Sequence, residues 1–338
     1  MLVQVALIKT AWNARNKSMQ HLSKRLLIFL IPVVIWLGWY FLPDTPPFWA
    51  IAKHWRITLT MAIGSFIAGA TSEAGGAVAF PVFTKILAIP PVQAKLFSLA
   101  TQSIGMGTAL LTILLLRIRV EWRAVIWVAC GSIAMLPIGF ALADQLPTSA
   151  VRILFTVIQC SFALALWWHN RDKNRDRHTR LTCFGSLEKI CLFTLGMLGG
   201  LISGLLGSGL EIIVFSVLVL WFRLCEKAAT PTVIVMMVFT SWSGFAMIFS
   251  AGQFVPPVSE YWLAAIPVVA VGAPLGVYVC SRMSRIVVVR TLLSLILLEL
   301  LSSLILIPLS WEIAIASTIL FLSFSSMYYL MYRSQRYV

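Results

Sequence analysis

Read for hydrophobicity alone, the chain is a succession of apolar runs of roughly 18–24 residues with few or no charges. That is the length needed to cross a hydrocarbon layer of ~30 Å. The runs fall at approximately 26–42, 96–116, 124–144, 152–168, 230–250, 261–281, 288–307 and 312–332. Two further tracts, 57–88 and 190–222, behave differently. Each is about 32 residues long, too long for one crossing and short for two, and glycines interrupt each near its middle. Composition agrees with the pattern. Of 338 residues, 60% are hydrophobic and 11% charged, and mean hydropathy is +0.92, more apolar surface than a soluble core can use. The expectation is an all-α polytopic membrane protein.

Charge decides how the two odd tracts are counted. A formal net charge of +14 invites a nucleic-acid reading, but the basic residues lie in short loops between apolar runs. There they hold loops on the cytoplasmic side, so no nucleic-acid partner is expected. If each odd tract is a hairpin that enters and leaves on one side, 1–25, 117–123, 169–189, 223–229, 282–290 and 333–338 share a side. Those segments hold all of the 26 basic residues except Lys53, Arg56, Lys85, Lys95 and Arg152. Counting each tract as a single crossing puts the basic N-terminus and the basic loop 169–189 on opposite sides. The hairpin count therefore wins, with both termini cytoplasmic. Limbs of 57–70 and 77–88 span about 18–21 Å at 1.5 Å per residue, which reaches half depth. A non-helical turn there must be buried in protein or line a wet cavity.

The halves also repeat. At an offset of 135, "GSFIAGATSEAGGAVAF" (64–80) lies over "GGLISGLLGSGLEIIVF" (199–215), matching Gly64, Ile67, Gly69 and Phe80 to Gly199, Ile202, Gly204 and Phe215. At an offset of 137, "LPIGFALAD" (136–144) lies over "APLGVYVCS" (273–281), matching Pro137 and Gly139 to Pro274 and Gly276. Each copy is one half-depth hairpin plus three transmembrane helices. Three crossings invert the second copy, a plan that recurs in secondary transporters. The expected organisation is 1–56 (basic segment and first crossing), 57–168 (first repeat), 169–189 (cytoplasmic linker), 190–307 (second repeat) and 308–338 (last crossing and basic C-terminus). Extra N- and C-terminal helices thus flank two inverted repeats. The run 26–42 is followed by "LPDTPPFWA" and by no small-x-small cleavage site, so an uncleaved first span is expected, with Met19 as an alternative start.

Catalytic and metal chemistry find little support. The six cysteines (130, 160, 183, 191, 225, 280) lack paired spacing, and the four histidines (21, 54, 169, 178) lie in polar segments. No phosphate-binding Gly-Lys-Ser/Thr loop is present. The reading is of a non-enzyme with no cofactor and no metal site.

The two repeat starts resemble the TauE/SafE family of sulfite-exporter-like membrane proteins. The glycine-rich stretch, apolar run, Pro-Pro turn and small-residue segment follow in order in "GATSEAGGAVAFPVFTKILAIPPVQAKLFSLATQS" (69–103), with Gly75, Gly76, Pro81, Pro90 and Pro91 in place. "GGLISGLLGSGLEIIVFSVLVLWFRLCEKAAT" (199–230) follows the pattern more loosely. The resemblance covers most of 57–307. It implies export of a small sulfur oxyanion or organosulfonate such as sulfite from a bacterial inner membrane. There are departures. Ser72-Glu73 stands where apolar and glycine residues are usual, Leu210-Glu211 replaces two glycines, and Ser216 replaces a proline. The family's Thr-Ser becomes Phe97-Ser98, or Thr101-Gln102 in a slipped register.

The candidate site follows from the tips. The returning limbs begin at about Gly75 and Leu210, and a helix N-terminus offers unpaired N–H groups and about half a positive charge. Substrate-binding candidates are Ser72, Gly75, Gly76, Ser98, Gln102, Gly207, Ser208 and Gly209, with Thr71 as a further hydroxyl. The alternative for the glycines is tight helix packing. Glu73 and Glu211 are proton-coupling candidates, because a carboxylate beside an anion repels it unless protonated. Their alternative is to cap their own helices. Glu299 reads as a structural partner at the interface of the halves. Lys85 and Lys95 read either as a basic vestibule or as residues snorkelling to the interface, and the 13 tryptophans mainly as interfacial anchors. The rival functions are a passive anion channel and a non-transport membrane subunit. Substrate identity, direction, coupling ion and oligomeric state, a homo-oligomer included, stay open at this level.

Overall fold

The computed structural model describes residues 30–41, 47–71, 82–143, 145, 148–171, 178–181, 184–306 and 311–333. Among these, every regular element is helical. They are α1 (Leu30–Tyr40), α2 (Pro47–Lys53), α3 (Trp55–Ala70), a π-helical turn (Val82–Ile86), α4 (Pro91–Leu115), α5 (Trp122–Ala143) and α6 (Thr148–Arg171). The second half follows with α7 (Ser186–Leu206), α8 (Leu210–Leu220), α9 (Glu226–Ser250), α10 (Val258–Arg282), α11 (Arg285–Leu306) and α12 (Trp311–Arg333). Six of them, α4, α5, α7, α9, α10 and α12, are long and apolar enough to cross a membrane, and α6 and α11 match them in length. The expectation of a polytopic helical membrane protein holds.

The second odd tract is a hairpin. Its ends meet through backbone bonds, since His178 N–H donates to the Arg223 carbonyl (2.9 Å) and Cys225 N–H to the His178 carbonyl (2.8 Å). Residues 178 and 225 flank the whole of α7 and α8, so the tract leaves where it entered. The limbs are unequal, which the sequence pattern did not anticipate. The 21 residues of α7 make about 31 Å, a full crossing length, whereas the 11 of α8 make about 16 Å. Only the returning limb is half-depth. In the first tract α3 runs 16 residues and closes at Thr71, whose hydroxyl donates to the Ile67 carbonyl (2.9 Å). The turn that follows, with Ser72, Glu73, Gly75 and Gly76, lies outside the described residues.

The hairpin limbs are exchanged between the halves. Helix α7 of the second half packs on α5 of the first, and α3 of the first packs on α10 of the second. Small residues make both contacts. A methyl group on Gly204 would meet the Leu136 carbonyl, and one on Gly139 the Leu201 carbonyl. Likewise, one on Gly69 would meet the Ala273 carbonyl, and one on Gly276 the Phe66 carbonyl. Under the two sequence offsets, Gly204–Leu136 corresponds to Gly69–Ala273, and Gly139–Leu201 to Gly276–Phe66. The glycines allow backbones to approach closely where no hydrophobic force drives helices together. Helices α4 and α9, themselves equivalent, pack on each other, and Gly107 there touches its own counterpart, Trp242. The relation between the halves therefore passes through the α4–α9 contact.

Tryptophans fasten the N-terminal helix to this frame. Pro267 inside α10 has no N–H, which leaves the Leu263 carbonyl without its helical donor. Trp39 of α1 supplies one, its indole N–H lying 2.8 Å from the Leu263 oxygen, and Trp36 donates to the Pro267 carbonyl (2.9 Å). Trp262 and Trp242 make similar bonds to Ala100 and Ser103 of α4. These four are inter-helix donors rather than the anchors the sequence suggested, whereas Trp122, Trp167 and Trp168 stand about half exposed.

Candidate functional site

The hairpin α7–α8 turns through Gly207, Ser208 and Gly209. Gly207 (φ +81°) and Gly209 (φ +127°) adopt backbone conformations that only glycine takes without strain. Gly207 also leaves no room for a side chain, since a methyl group there would lie 2.7 Å from the Lys95 carbonyl oxygen. The tip is thereby pressed onto the first turns of α4. Ser98 donates its hydroxyl to the Gly207 carbonyl (3.0 Å), and the Gln102 amide nitrogen donates to the same carbonyl (2.9 Å) and to Ser98 Oγ (2.8 Å). Four of the candidates read from the sequence, Ser98, Gln102, Gly207 and Gly209, thus belong to one cluster, and Ser208 is buried beside them.

The start of α8 is already supplied with partners. Glu211 accepts the Gly209 N–H on Oε2 (2.9 Å), and Ser203 Oγ accepts the Leu210 N–H (3.1 Å). Glu211 is almost fully buried. These amides are therefore engaged rather than open, which for Glu211 is the capping alternative read from the sequence. Ser203, which sequence reasoning passed over, is recognisable only once the turn places it beside residue 210.

Helix α4 also reaches α10 and the end of α3. A methyl group on Gly105 would meet Val269 and Ala273 of α10, and Ala273 is where Gly69, next to the end of α3, also packs. Ser98 and Gly105 thus connect, over two helical turns, the second tip to the end of the first descending limb. The first tip's own residues, Ser72, Glu73, Gly75 and Gly76, fall outside the described ones, as do the side chains of Lys85 and Glu299.

Lys95 differs from both readings made for it. It is 3% exposed, its backbone packs on Gly207, and its ammonium sits 4.6 Å from the Phe140 ring centroid. It does not reach for the interface. The basic character of that end of the molecule comes instead from Lys53, His54 and Arg56. With Tyr261, Leu87 and Ile89 they line a cleft of about 370 Å3 near the start of α4. Glu260 accepts from Lys53 (2.8 Å) and lies 2.9 Å from His54 Nε2 there.

The opposite end is tied by ion pairs. Arg285 of α11 reaches Glu226 of α9 (3.1 Å) and Asn170 of α6 (2.8 Å), with Glu226 fully buried. Glu121 binds Arg123 (2.7 Å) and accepts the Leu181 N–H (3.2 Å), so the end of the inter-half linker is fixed to α5. The sequence marked this linker only as a topology anchor. Among the described residues no three His, Cys, Asp or Glu side chains group as metal ligands.

A polytopic helical bundle with a re-entrant hairpin buried against polar residues of a crossing helix is the architecture of a membrane transporter. The model of the sulfite exporter TauE/SafE family matches residues 57–304, the whole of both halves, and the chain belongs to that family. No curated protein and no solved structure matches it significantly.

Proposed function

We propose that the protein is a secondary transporter that exports a small sulfur oxyanion or organosulfonate, sulfite foremost, bound where the α7–α8 tip meets α4. The carrying observation is the Ser98–Gln102–Gly207 cluster. Polar side chains deep in an apolar bundle are expensive and mark substrate paths, and here they hold a glycine turn that precedes a helix N-terminus. The family implies the class of cargo. The reciprocal packing of α3 and α7 supports two inverted repeats that rock against each other, the basic loops support cytoplasmic termini, and the family supports a bacterial inner membrane.

Glu211 gives this site a means of proton coupling. Its ionised carboxylate occupies the Gly209 N–H and puts negative charge where an anion would sit. Protonation removes that charge while the carboxyl can keep accepting the Gly209 N–H, so anion and proton load together. Glu73, in the first tip's sequence, is the second candidate.

Purified protein in liposomes under an imposed pH gradient tests the proposal. Sulfite, thiosulfate, taurine and sulfoacetate are followed. Accumulation of sulfite beyond its equilibrium distribution is expected. Flux that only dissipates gradients would make the protein a channel, and no flux of any of the four would defeat the transport reading.

A further inference from the structure

Helix α4 carries five hydroxyl side chains at described positions, and four have evident bonds. Ser98 donates to Gly207, Ser103 to the Ala100 carbonyl (2.7 Å), Thr108 to the Gly105 carbonyl (2.7 Å) and Thr112 to the Thr108 carbonyl (2.9 Å). The fifth, Thr101, does not. Its residue is 2% exposed, and its hydroxyl oxygen is buried with no hydrogen-bond partner. Threonine in a helix ordinarily returns its proton to a carbonyl one turn back. Leaving it unbonded in an apolar interior costs roughly 1–3 kcal/mol, so such a group calls for an explanation.

Position supplies one. Thr101 is three residues after Ser98 and four before Gly105, so all three share one side of the helix. Ser98 faces the second tip, and Gly105 faces α10 at Ala273, the residue on which Gly69 of α3 also packs. Thr101 lies between them, along the line that joins the α7–α8 tip to the end of α3. The repeat supplies a control. At the offset of 135, Thr101 corresponds to Met236 of α9, which is fully buried. The packing of this helix pair thus accepts an apolar side chain at that position.

We infer that Thr101 is a substrate-contacting residue whose hydroxyl donates to an oxygen of the bound oxyanion, a neutral donor beside Ser98 and Gln102. This rests on the transport reading above and adds a residue to its site.

The test compares Thr101→Val, which keeps the shape and removes the hydroxyl, with Thr101→Ser, which keeps the hydroxyl. Sulfite uptake in liposomes gives KM and maximal rate, and thermal unfolding in detergent without substrate gives stability. The expected result for valine is a KM raised about tenfold or more, the size of one hydrogen bond to a charged group, with no loss of Tm. Serine should restore KM to within about threefold. A wild-type KM in Thr101→Val would overturn the inference while leaving the transport reading intact. So would a Tm lowered in Thr101→Val and recovered in Thr101→Ser, which would assign the hydroxyl a structural partner. If the unmodified protein carries none of sulfite, thiosulfate, taurine and sulfoacetate and is stabilised by none of them, the transport reading fails and this inference falls with it.

Discussion

Gly204 of α7 lies against Gly139 of α5 so closely that a Cβ on Gly204 would stand 2.8 Å from the Gly139 Cα. Gly69 and Gly276 make the same contact between α3 and α10. Each half of the chain is thus completed by a hairpin limb from the other. Gly204→Val or Gly139→Val should separate α5 from α7 and cost more than the ~1–3 kcal/mol of ordinary overpacking, because backbone must move. Folded yield and Tm in detergent check this. Gly38→Ala, where nothing lies within 4 Å of the added carbon, is the control and should leave both unchanged.

Trp39 and Pro267 form a compensating pair. Trp39→Phe removes the donor to the Leu263 carbonyl and should destabilise by about 1–3 kcal/mol, the cost of a buried acceptor left unbonded. Pro267→Ala restores the helical N–H to that carbonyl. In the double variant the loss from Trp39→Phe should therefore shrink, a coupling that a double-mutant cycle on thermal or denaturant unfolding resolves. Strictly additive losses would show that the indole bond is not replaced by the helical one.

The ion pair Arg285–Glu226 should be worth more intact than broken. Arg285→Met leaves the Glu226 carboxylate buried without its partner, which typically costs about 3–5 kcal/mol, whereas Glu226→Gln leaves Arg285 partly exposed and still bonded to Asn170 and should cost less. Replacing both by apolar residues should cost much less than the sum of the single losses. Unfolding midpoints of the three variants decide the matter.

Glu211 separates capping from coupling. Glu211→Gln retains a carbonyl oxygen that can accept the Gly209 N–H, but it cannot lose or gain a proton. The variant should fold with a Tm close to wild type and still move sulfite down its gradient, while losing accumulation driven by a pH gradient. Undiminished gradient-driven accumulation would remove Glu211 from the coupling step. Glu211→Leu, which cannot accept the bond, should in addition lower Tm.

Much of this arrangement was legible in the sequence, and for physical reasons. Apolar runs report helices whose whole surface is buried or lipid-facing. The basic loops correctly returned residues 190–222 as a hairpin, and Gly207 and Gly209 stood out because two glycines around Ser208 interrupt an apolar tract. What the sequence could not supply was partner choice across the fold. That α7 belongs against α5, that Gln102 reaches Gly207 across a separation of 105 positions, and that Trp39 repairs the helix at Pro267 are tertiary facts without local signals. The unequal limbs were hidden for a related reason. The apolar count from 190 missed the first turn of α7, Ser186–Lys189, which is polar because Glu188 there accepts the Gly185 N–H (2.7 Å) ahead of the apolar run. Lys95 misled because a lysine near a span end ordinarily snorkels, whereas here the ring of Phe140 and the glycine tip enclose it.

The central claim is that sulfite binds at the contact between the Gly207 turn and α4. Equilibrium binding of radiolabelled sulfite to the purified protein tests it most directly, in wild type and in Gln102→Leu and Ser98→Ala. The account predicts saturable binding in the wild type, weakened about tenfold or more in both variants, with Thr194→Ala, an exposed hydroxyl on α7, binding as the wild type does. Wild-type affinity in both site variants would contradict it.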